Sequence, residues 1–177
     1  MHSQAQTTRR TLLMTATGAL AGLEGGLAAA SGRRDAYHVF SEVRIGNLRL
    51  KNRLVRSATA ENAWRDIEMT EDGIHLYRRL AAGQVGLIIT GYMGVMREGR
   101  SSDLQTRIYD DRFIAGLAKI ARVIHETNKQ CKVVAQLGHT GMQTQLTEPV
   151  GPSESAWPHV KAKPRALATK EIEGVVA

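Results

Sequence analysis

The chain has little cysteine and proline, and each shortage limits what the protein can be. A single cysteine, Cys131, excludes an internal disulfide, a cysteine-built zinc site and a Cys-X-X-Cys redox motif. No Gly-X-Gly-X-X-Gly follows a strand-like run, which argues against a Rossmann dinucleotide site, and no phosphate-binding P-loop motif is present. Outside the N-terminus, no segment approaches the about 20 apolar residues that span a bilayer.

The positive charge of the chain does not indicate nucleic-acid binding. The formal net charge is +7, and residues 1–34 contribute four arginines against one glutamate. The other basic residues are scattered over predicted helix faces and one loop, with few aromatic residues among them. We therefore expect a solvated basic surface on one globular domain of ordinary composition.

The N-terminus has the features of an export signal. Arg9 and Arg10 lie in a Thr-Arg-Arg-Thr-Leu-Leu motif similar to a twin-arginine signal, followed by a Gly/Ala-rich apolar stretch and a cleavage-like Ala28-Ala29-Ala30. The alternative is an amphipathic or disordered tail, and Glu24 weakens the signal pattern. We expect residues 1–34 to be a twin-arginine-like signal that exports a folded protein to the periplasm; with a plain tail the protein would be cytoplasmic.

Three later segments share one pattern, an apolar run that turns abruptly polar or glycine-rich. They are residues 53–60, 85–92 and 132–141. Such a run is typical of a buried parallel strand that presents functional groups at its carboxyl end. Helical patterns separate the segments, so each crossover is long enough for a βαβ unit. The order predicts an α/β fold, either a β/α barrel or a doubly wound sheet.

The remaining sequence patterns predict a hairpin, three helices and a long loop around these strands. We predict a hairpin over residues 40–50 that turns at Gly46-Asn47, and a helix capped by Thr70 that stops at Gly83. A second helix follows Asp110-Asp111 and a third begins at Thr169. Residues 138–168, which contain all four prolines, are predicted to form a long lid, binding loop or disordered segment.

Gln136 and His139 are the most informative polar residues. Gln136 ends the third strand, where we expect its amide to be partly buried and to need partners for both its oxygen and its NH₂ group. It could read the imide edge of a flavin or pyrimidine, or be satisfied by the protein's own backbone. His139 could donate to a ligand or carry a proton, or simply fix the loop.

Small residues and one arginine are weaker candidates. Thr59 and the pair Thr90-Gly91 lie at strand ends, where small side chains let a flat ligand approach but also serve packing. Arg100 could meet an anionic ligand, although a surface ion pair is the default for such a residue.

Several motifs, taken together and in order, resemble the old yellow enzyme family. They are the opening Phe40-Ser through Ser57-Ala-Thr-Ala60, then Gly86-Leu-Ile-Ile-Thr-Gly-Tyr92 with Glu98-Gly-Arg100, then Val134-Ala-Gln-Leu-Gly-His-Thr-Gly141, and Pro164-Arg with Thr169-Lys-Glu-Ile. The resemblance covers about residues 38–177. One departure is that the family's His-Ala-Gly-Arg is His139-Thr-Gly-Met142 here, so a flavin-holding arginine is missing.

The resemblance implies an FMN-dependent oxidoreductase on a partial (β/α)8 TIM barrel, with an N-terminal hairpin and about three βα units in residues 35–177. Hydride would pass from NADH or NADPH through FMN to an electron-poor alkene or similar small molecule. Gln136 would pair with the flavin's pyrimidine edge, and His139 would be a donor on the flavin or substrate side. The other cofactor-binding residues would be Ser57, Ala58, Thr59, Ala60, Gly91 and Tyr92.

The extent of the match limits this expectation. A complete (β/α)8 barrel needs ~250 residues, and three of its eight strands are recognisable here. We therefore expect the isolated chain to bind FMN poorly, turn over little and self-associate through open sheet edges. The alternatives are a non-catalytic barrel remnant or sheet-completing interaction fragment, and, less favoured, a flavin-free barrel lyase or phosphate-sugar enzyme.

Overall fold

The computed structural model describes residues 37–145, 148–155, 158 and 163–176. The chain divides after Ser41 into two units, and the strands and α-helices of the described residues lie in the second, from Glu42 onward. In the first unit, residues 38–40 form a 3-10 turn closed by the Ser41 hydroxyl, which donates to the His38 carbonyl at 2.7 Å. The predicted export signal, residues 1–34, lies outside the described residues.

The second unit alternates strands and helices. Its described strands are β1 Val43–Ile45, β2 Leu48–Leu50, β3 Val55–Arg56, β4 Trp64–Arg65, β5 Glu68–Met69, β6 Leu87–Gly94, β7 Lys132–Gly138, β8 Val150–Gly151 and β9 Arg165–Ala166. Its described α-helices are α1 Glu71–Ala82, α2 Ile114–Thr127 and α3 Thr169–Val176. Among the described residues, no helix is both long and apolar enough to traverse a bilayer.

The central sheet is parallel, as the three strand patterns predict. Its order is β3-β6-β7, with Val55 opposite Leu87 and Leu87 opposite Lys132. Helix α1 connects β3 to β6 and α2 connects β6 to β7, so the sheet consists of two successive βαβ units. The antiparallel pair β1–β2, which turns at Gly46, precedes this sheet and confirms the predicted hairpin.

The helices begin where the sequence indicates. The Thr70 hydroxyl accepts a hydrogen bond from the Gly73 N–H at 3.4 Å, which caps α1. A cap of this kind is typically worth about 1 kcal/mol. Asp110 similarly accepts from the Arg112 N–H at 3.0 Å and opens a 3-10 turn that leads into α2. The first turn of α3 is held by Glu171, whose carboxylate accepts from the Ala168 N–H at 2.8 Å.

The hydrophobic core lies between the two crossover helices and one face of the sheet. Ile74 and Tyr77 from α1 and Ile120 and Ile124 from α2 are buried against Ile88 of β6. Phe113 extends this core and meets Trp64 edge to face, with ring centroids 6.1 Å apart. Cys131, just before β7, is fully buried here as a free thiol. The core thus fixes the helical side of the sheet and leaves the opposite face for other contacts.

Two features differ from the sequence-based expectation. The hairpin β4–β5 was not predicted, because its strands have only two residues each and it turns at Asp66, which adopts φ 47°. Residues 138–168 are not wholly irregular, since β8 and β9 pair in parallel within the described part of that stretch.

The third strand is also not buried. Strand β7 lies at the edge of the β3-β6-β7 sheet, and Val134 and Leu137 are 44% and 59% exposed. The expectation of a buried strand was therefore wrong for β7. The apolar residues of β7 belong to a strand with only one covered face, because Val133 packs on the core whereas Val134 points to the other side.

Candidate functional site

A β-bulge in β6 shapes the carboxyl edge of the sheet. Ile89 lies opposite Val134 but Tyr92 lies opposite Gln136, so β6 has one more residue than β7 in this interval. The extra residue falls at Thr90-Gly91. An insertion of this kind leaves a residue out of the ladder and redirects its neighbours, and such bulges are frequent beside functional sites.

The Thr90 side chain replaces a backbone partner at this bulge. Thr90 is 2% exposed, and its hydroxyl accepts a hydrogen bond from the Gln136 N–H at 3.2 Å. The same hydroxyl donates to the Gly91 carbonyl at 2.9 Å. The main chain of Gln136 is thereby held to β6 although the ladder is interrupted.

Gly91 brings the segment after β3 against β6. Its N–H donates to the Glu61 carboxylate at 3.0 Å. A Cβ at this position would overlap the Glu61 carboxylate and come within 2.7 Å of the Thr59 carbonyl oxygen, so the close approach requires glycine. Gly91 is buried by its own chain. The missing side chain therefore allows the close approach of residues 59–61, in addition to any approach of a ligand.

The segment of residues 57–60 is held by Arg56, the last residue of β3. The Arg56 guanidinium donates to the Ser57 carbonyl at 2.8 Å and to the Thr59 carbonyl at 3.3 Å. These bonds use backbone oxygens and leave the amides free: within the described residues, the N–H groups of Thr59 and Ala60 have no acceptor. Ser57, Thr59 and Ala60 are exposed and Ala58 is half-buried, so the segment is open to a ligand.

Gln136 is exposed, which contradicts the expectation that its amide is partly buried. The reason is that it stands on the edge strand, where no further strand of the described chain covers it. Within that described part its side-chain amide has no hydrogen-bond partner. It thus offers one donor group and one acceptor on an open face, whereas its main chain is fixed by Thr90.

His139 fixes the loop that follows β7. Its Nδ1 accepts a hydrogen bond from the Gly141 N–H at 3.1 Å, and its ring lies on Gly99, where an added Cβ would overlap it. The neighbouring Thr140 N–H donates to the Gly99 carbonyl at 2.7 Å. Burial lowers the pKa of His139 against the opposing effect of Glu98, so the ring is favoured in its neutral form. These contacts fix the loop through Nδ1, and the buried Nε2 has no hydrogen-bond partner among the described residues.

Tyr92 and Arg100 belong to the packing of the loop after β6. Tyr92 lies beneath Gly138, and its carbonyl accepts from the Gln105 side chain at 3.1 Å. The Arg100 side chain is 7% exposed and pairs with Asp103 at 3.1 Å. The buried Arg100 side chain therefore pairs with an exposed carboxylate of its own loop, which agrees with an ion-pair role rather than an anion site.

The predicted site residues thus fall into two groups. Residues 57–60, Gly91 and Gln136 meet at the bulge, and Tyr92 is the neighbour of Gln136 across the β6–β7 pair. His139 is engaged with Gly99 instead. Sequence reasoning missed Arg56 and Glu61, although both directly flank the Ser57-Ala-Thr-Ala60 motif and carry opposite charges.

This arrangement defines a class of protein. A parallel sheet with crossover helices on one face and polar groups at the carboxyl ends of its strands is the layout of a β/α barrel site. An open amide that can both donate and accept, beside two unpaired backbone N–H groups, suits the edge of a planar heterocycle such as a flavin.

Comparison with known proteins identifies the family. Residues 38–177 match the NADH:flavin oxidoreductase / NADH oxidase family, and the chain belongs to it. It is 36% identical over 146 residues to an NADH oxidase of Thermoanaerobacter brockii, covering 78% of this chain and 22% of that protein. It is 33% identical over 141 residues to an NADPH dehydrogenase of Bacillus cytotoxicus, covering 78% of this chain and 40% of that relative.

Solved structures agree on the fold. Morphinone reductase in complex with tetrahydroNAD superposes with a TM-score of 0.69 at 23% identity, over 79% of this chain and 43% of the reductase. A 2-naphthoyl-CoA reductase complex gives 0.70 at 23% identity, over 77% of this chain and 23% of that enzyme. The chain therefore spans less than half the length of these relatives. The resemblance to the old yellow enzyme family and the partial-barrel fold are both confirmed.

Proposed function

We propose that the carboxyl edge of the β3-β6-β7 sheet binds FMN in an oxidoreductase that takes hydride from NADH or NADPH. The observation that carries this proposal is the unpartnered Gln136 amide, fixed through its main chain to the Thr90-Gly91 bulge. Family membership supports the flavin and the nicotinamide reductant. The hydride acceptor we propose is an electron-poor alkene or a similar small molecule.

The residues present fit such a cofactor. Gln136 would donate to and accept from the pyrimidine edge, and the free N–H groups of Thr59 and Ala60 would donate to ring heteroatoms. Gly91 and Tyr92 would line the ring from β6. FMN, when bound, supplies the hydride transfer itself, whereas the protein binds and orients the cofactor and screens it from water. His139 would keep the Gly99 loop in place through Nδ1, and its Nε2, which has no partner within the described residues, would be the donor on the flavin or substrate side.

Titration of the chain with FMN tests this proposal. We expect saturable binding that Gln136→Ala weakens by about tenfold, because at least one direct hydrogen bond is lost. The matched control is Gln130→Ala, which removes an exposed glutamine from the turn before β7, at the other end of that strand. Equal affinities for Gln136→Ala and the unmutated chain would contradict the assignment of Gln136.

We also propose that the chain by itself holds FMN weakly and turns over little. Gln136 lies on the edge strand β7 beside two exposed apolar residues, Val134 and Leu137, so the described residues enclose the ligand from one side only. Stoichiometric FMN retained by the monomer through gel filtration would contradict this part of the proposal.

The exposed edge favours a second candidate, a non-catalytic fragment that completes its sheet with another chain. The observation that favours it is the unpaired edge of β7, a strand on which Val134 and Leu137 are exposed. Sedimentation would then show concentration-dependent self-association that Val134→Lys abolishes. A monomer at all concentrations that binds FMN would favour the enzyme.

We propose export through the twin-arginine route for the N-terminal segment. The support is the Arg9-Arg10 pair and the apolar stretch that follows it. A reporter fused behind residues 1–36 should reach the periplasm, and replacing both arginines by lysine should stop it. A reporter that stays in the cytoplasm with both arginines intact would favour a simple tail.

A further inference from the structure

Glu61 is a buried carboxylate that the FMN site described above does not use. Its side chain is 3% exposed. Within the part of the chain that the structure describes, one oxygen, Oε1, takes all of its polar contacts: the Tyr77 hydroxyl donates to it at 2.7 Å and the Gly91 N–H at 3.0 Å, and the Arg56 guanidinium lies 3.6 Å away. A buried charge is costly unless its partners satisfy it, so this set of contacts fixes where Glu61 can lie.

These partners come from three different elements. Arg56 ends β3, Gly91 lies in the β6 bulge, and Tyr77 is a fully buried residue of α1. Burial, followed by the charge of Glu61, raises the pKa of Tyr77 well above its usual range, so the hydroxyl remains a donor. Glu61 therefore connects the segment after β3 to the bulge and anchors both to the helix behind the sheet.

Glu61 is connected to the groups proposed to contact the ligand on two sides. On one side, Glu61 directly follows residues 57–60, in which the Thr59 and Ala60 N–H groups have no acceptor among the described residues. On the other side, its bond to the Gly91 N–H fixes the bulge, and the neighbouring Thr90 hydroxyl holds the Gln136 main chain at 3.2 Å. Arg56 also connects the two sides of the site, because its guanidinium donates to the Thr59 carbonyl and to the Ile89 carbonyl of β6.

We propose that Glu61 is a positioning residue of the flavin site. It fixes the Thr90-Gly91 bulge relative to residues 57–60, so that the Gln136 amide and the Thr59 and Ala60 N–H groups address one ligand. This inference rests on the proposed FMN site. It assigns no contact between Glu61 and the flavin.

Three variants of the full chain test the inference: Glu61→Ala, Glu61→Gln and Tyr77→Phe. The first readout is amide exchange at Gly91 and Gln136, with Asn128, whose N–H donates to Ile124 at the end of α2, as a remote reference. The second is the dissociation constant for FMN. Glu61→Ala should speed exchange at Gly91 at least about tenfold and weaken FMN in parallel.

The other two variants should have smaller effects than Glu61→Ala on exchange at Gly91. Glu61→Gln keeps an oxygen that can accept both bonds, but neutral hydrogen bonds are about half as strong as charged ones, so it should lie between Glu61→Ala and the unmutated chain in both readouts. Tyr77→Phe leaves the Gly91 bond intact and should change Gly91 exchange least. If Glu61→Ala does not fold, the comparison of Glu61→Gln with the unmutated chain still decides.

The contrary results are distinct. Unchanged exchange at Gly91 in the Glu61 variants, faster exchange at Asn128 to the same degree, or unchanged FMN affinity would overturn the positioning role. Failure of the unmutated chain to bind FMN at all would refute the proposed function instead, together with the inference that rests on it.

Discussion

Replacing Thr90 by valine tests how the main chain of Gln136 is held. Thr90 is 2% exposed, and its hydroxyl serves both the Gln136 N–H and the Gly91 carbonyl. Valine has nearly the same size but no hydroxyl, so both backbone groups lose this partner in a buried site. Leaving a buried polar group unsatisfied costs about 1–3 kcal/mol. We therefore expect Thr90→Val to lower the free energy of unfolding by about 2 kcal/mol.

Urea unfolding measures this change. With a slope of roughly 2 kcal/mol per molar urea, the transition midpoint should fall by about 1 M. Thr90→Ser is the matched control, because it keeps the hydroxyl and loses one methyl group, at a cost of about 0.8 kcal/mol. Amide exchange at Gln136 should rise in Thr90→Val and not in Thr90→Ser. Equal stability of the two variants, with unchanged exchange at Gln136, would refute the role given to the Thr90 hydroxyl.

Two predictions concern the loop fixed by His139. Burial lowers the pKa of His139, so the unfolded chain binds a proton more readily; the free energy of unfolding should therefore fall as pH drops below about 6.5. His139→Asn keeps an acceptor for the Gly141 N–H but does not titrate, so urea midpoints should fall less on acidification than in the unmutated chain; an equal fall would contradict this. Gly99→Ala places a Cβ against the His139 ring and should cost about 1–3 kcal/mol of stability. Combining it with His139→Ala should cost less than the sum of the two single changes, whereas a fully additive result would place the strain elsewhere.

Local sequence signals predicted most of the regular structure. Thr70 and Gly83 bound α1, Asp110 begins the turn before α2, and Gly46 marks the first hairpin, because caps and turns depend on residues a few positions apart. The apolar runs predicted the parallel strands and their alternation with helices along the chain. The resemblance of the Ser57, Gly91 and Gln136 motifs to one family supplied the candidate site residues, which neither composition nor spacing could do alone.

The features that were missed depend on contacts distant in sequence. Gly91 meets Glu61 across 30 positions, and the bulge that makes this necessary is visible only once β6 pairs with β7. The exposure of Gln136 depends on which strand lies at the sheet edge, and an apolar run does not encode that position. The short β4–β5 hairpin needs Trp64 in the core to hold it, since two-residue strands have little stability of their own.

The most direct test of the account is to follow the Gln136 side-chain amide by NMR as FMN is added to the isotope-labelled chain. If Gln136 binds the flavin, this resonance shifts saturably, together with the backbone N–H groups of Thr59 and Ala60, whereas the Gln130 side-chain amide stays unchanged. Saturable FMN binding that leaves Gln136 unmoved, or no binding at millimolar FMN, would contradict it.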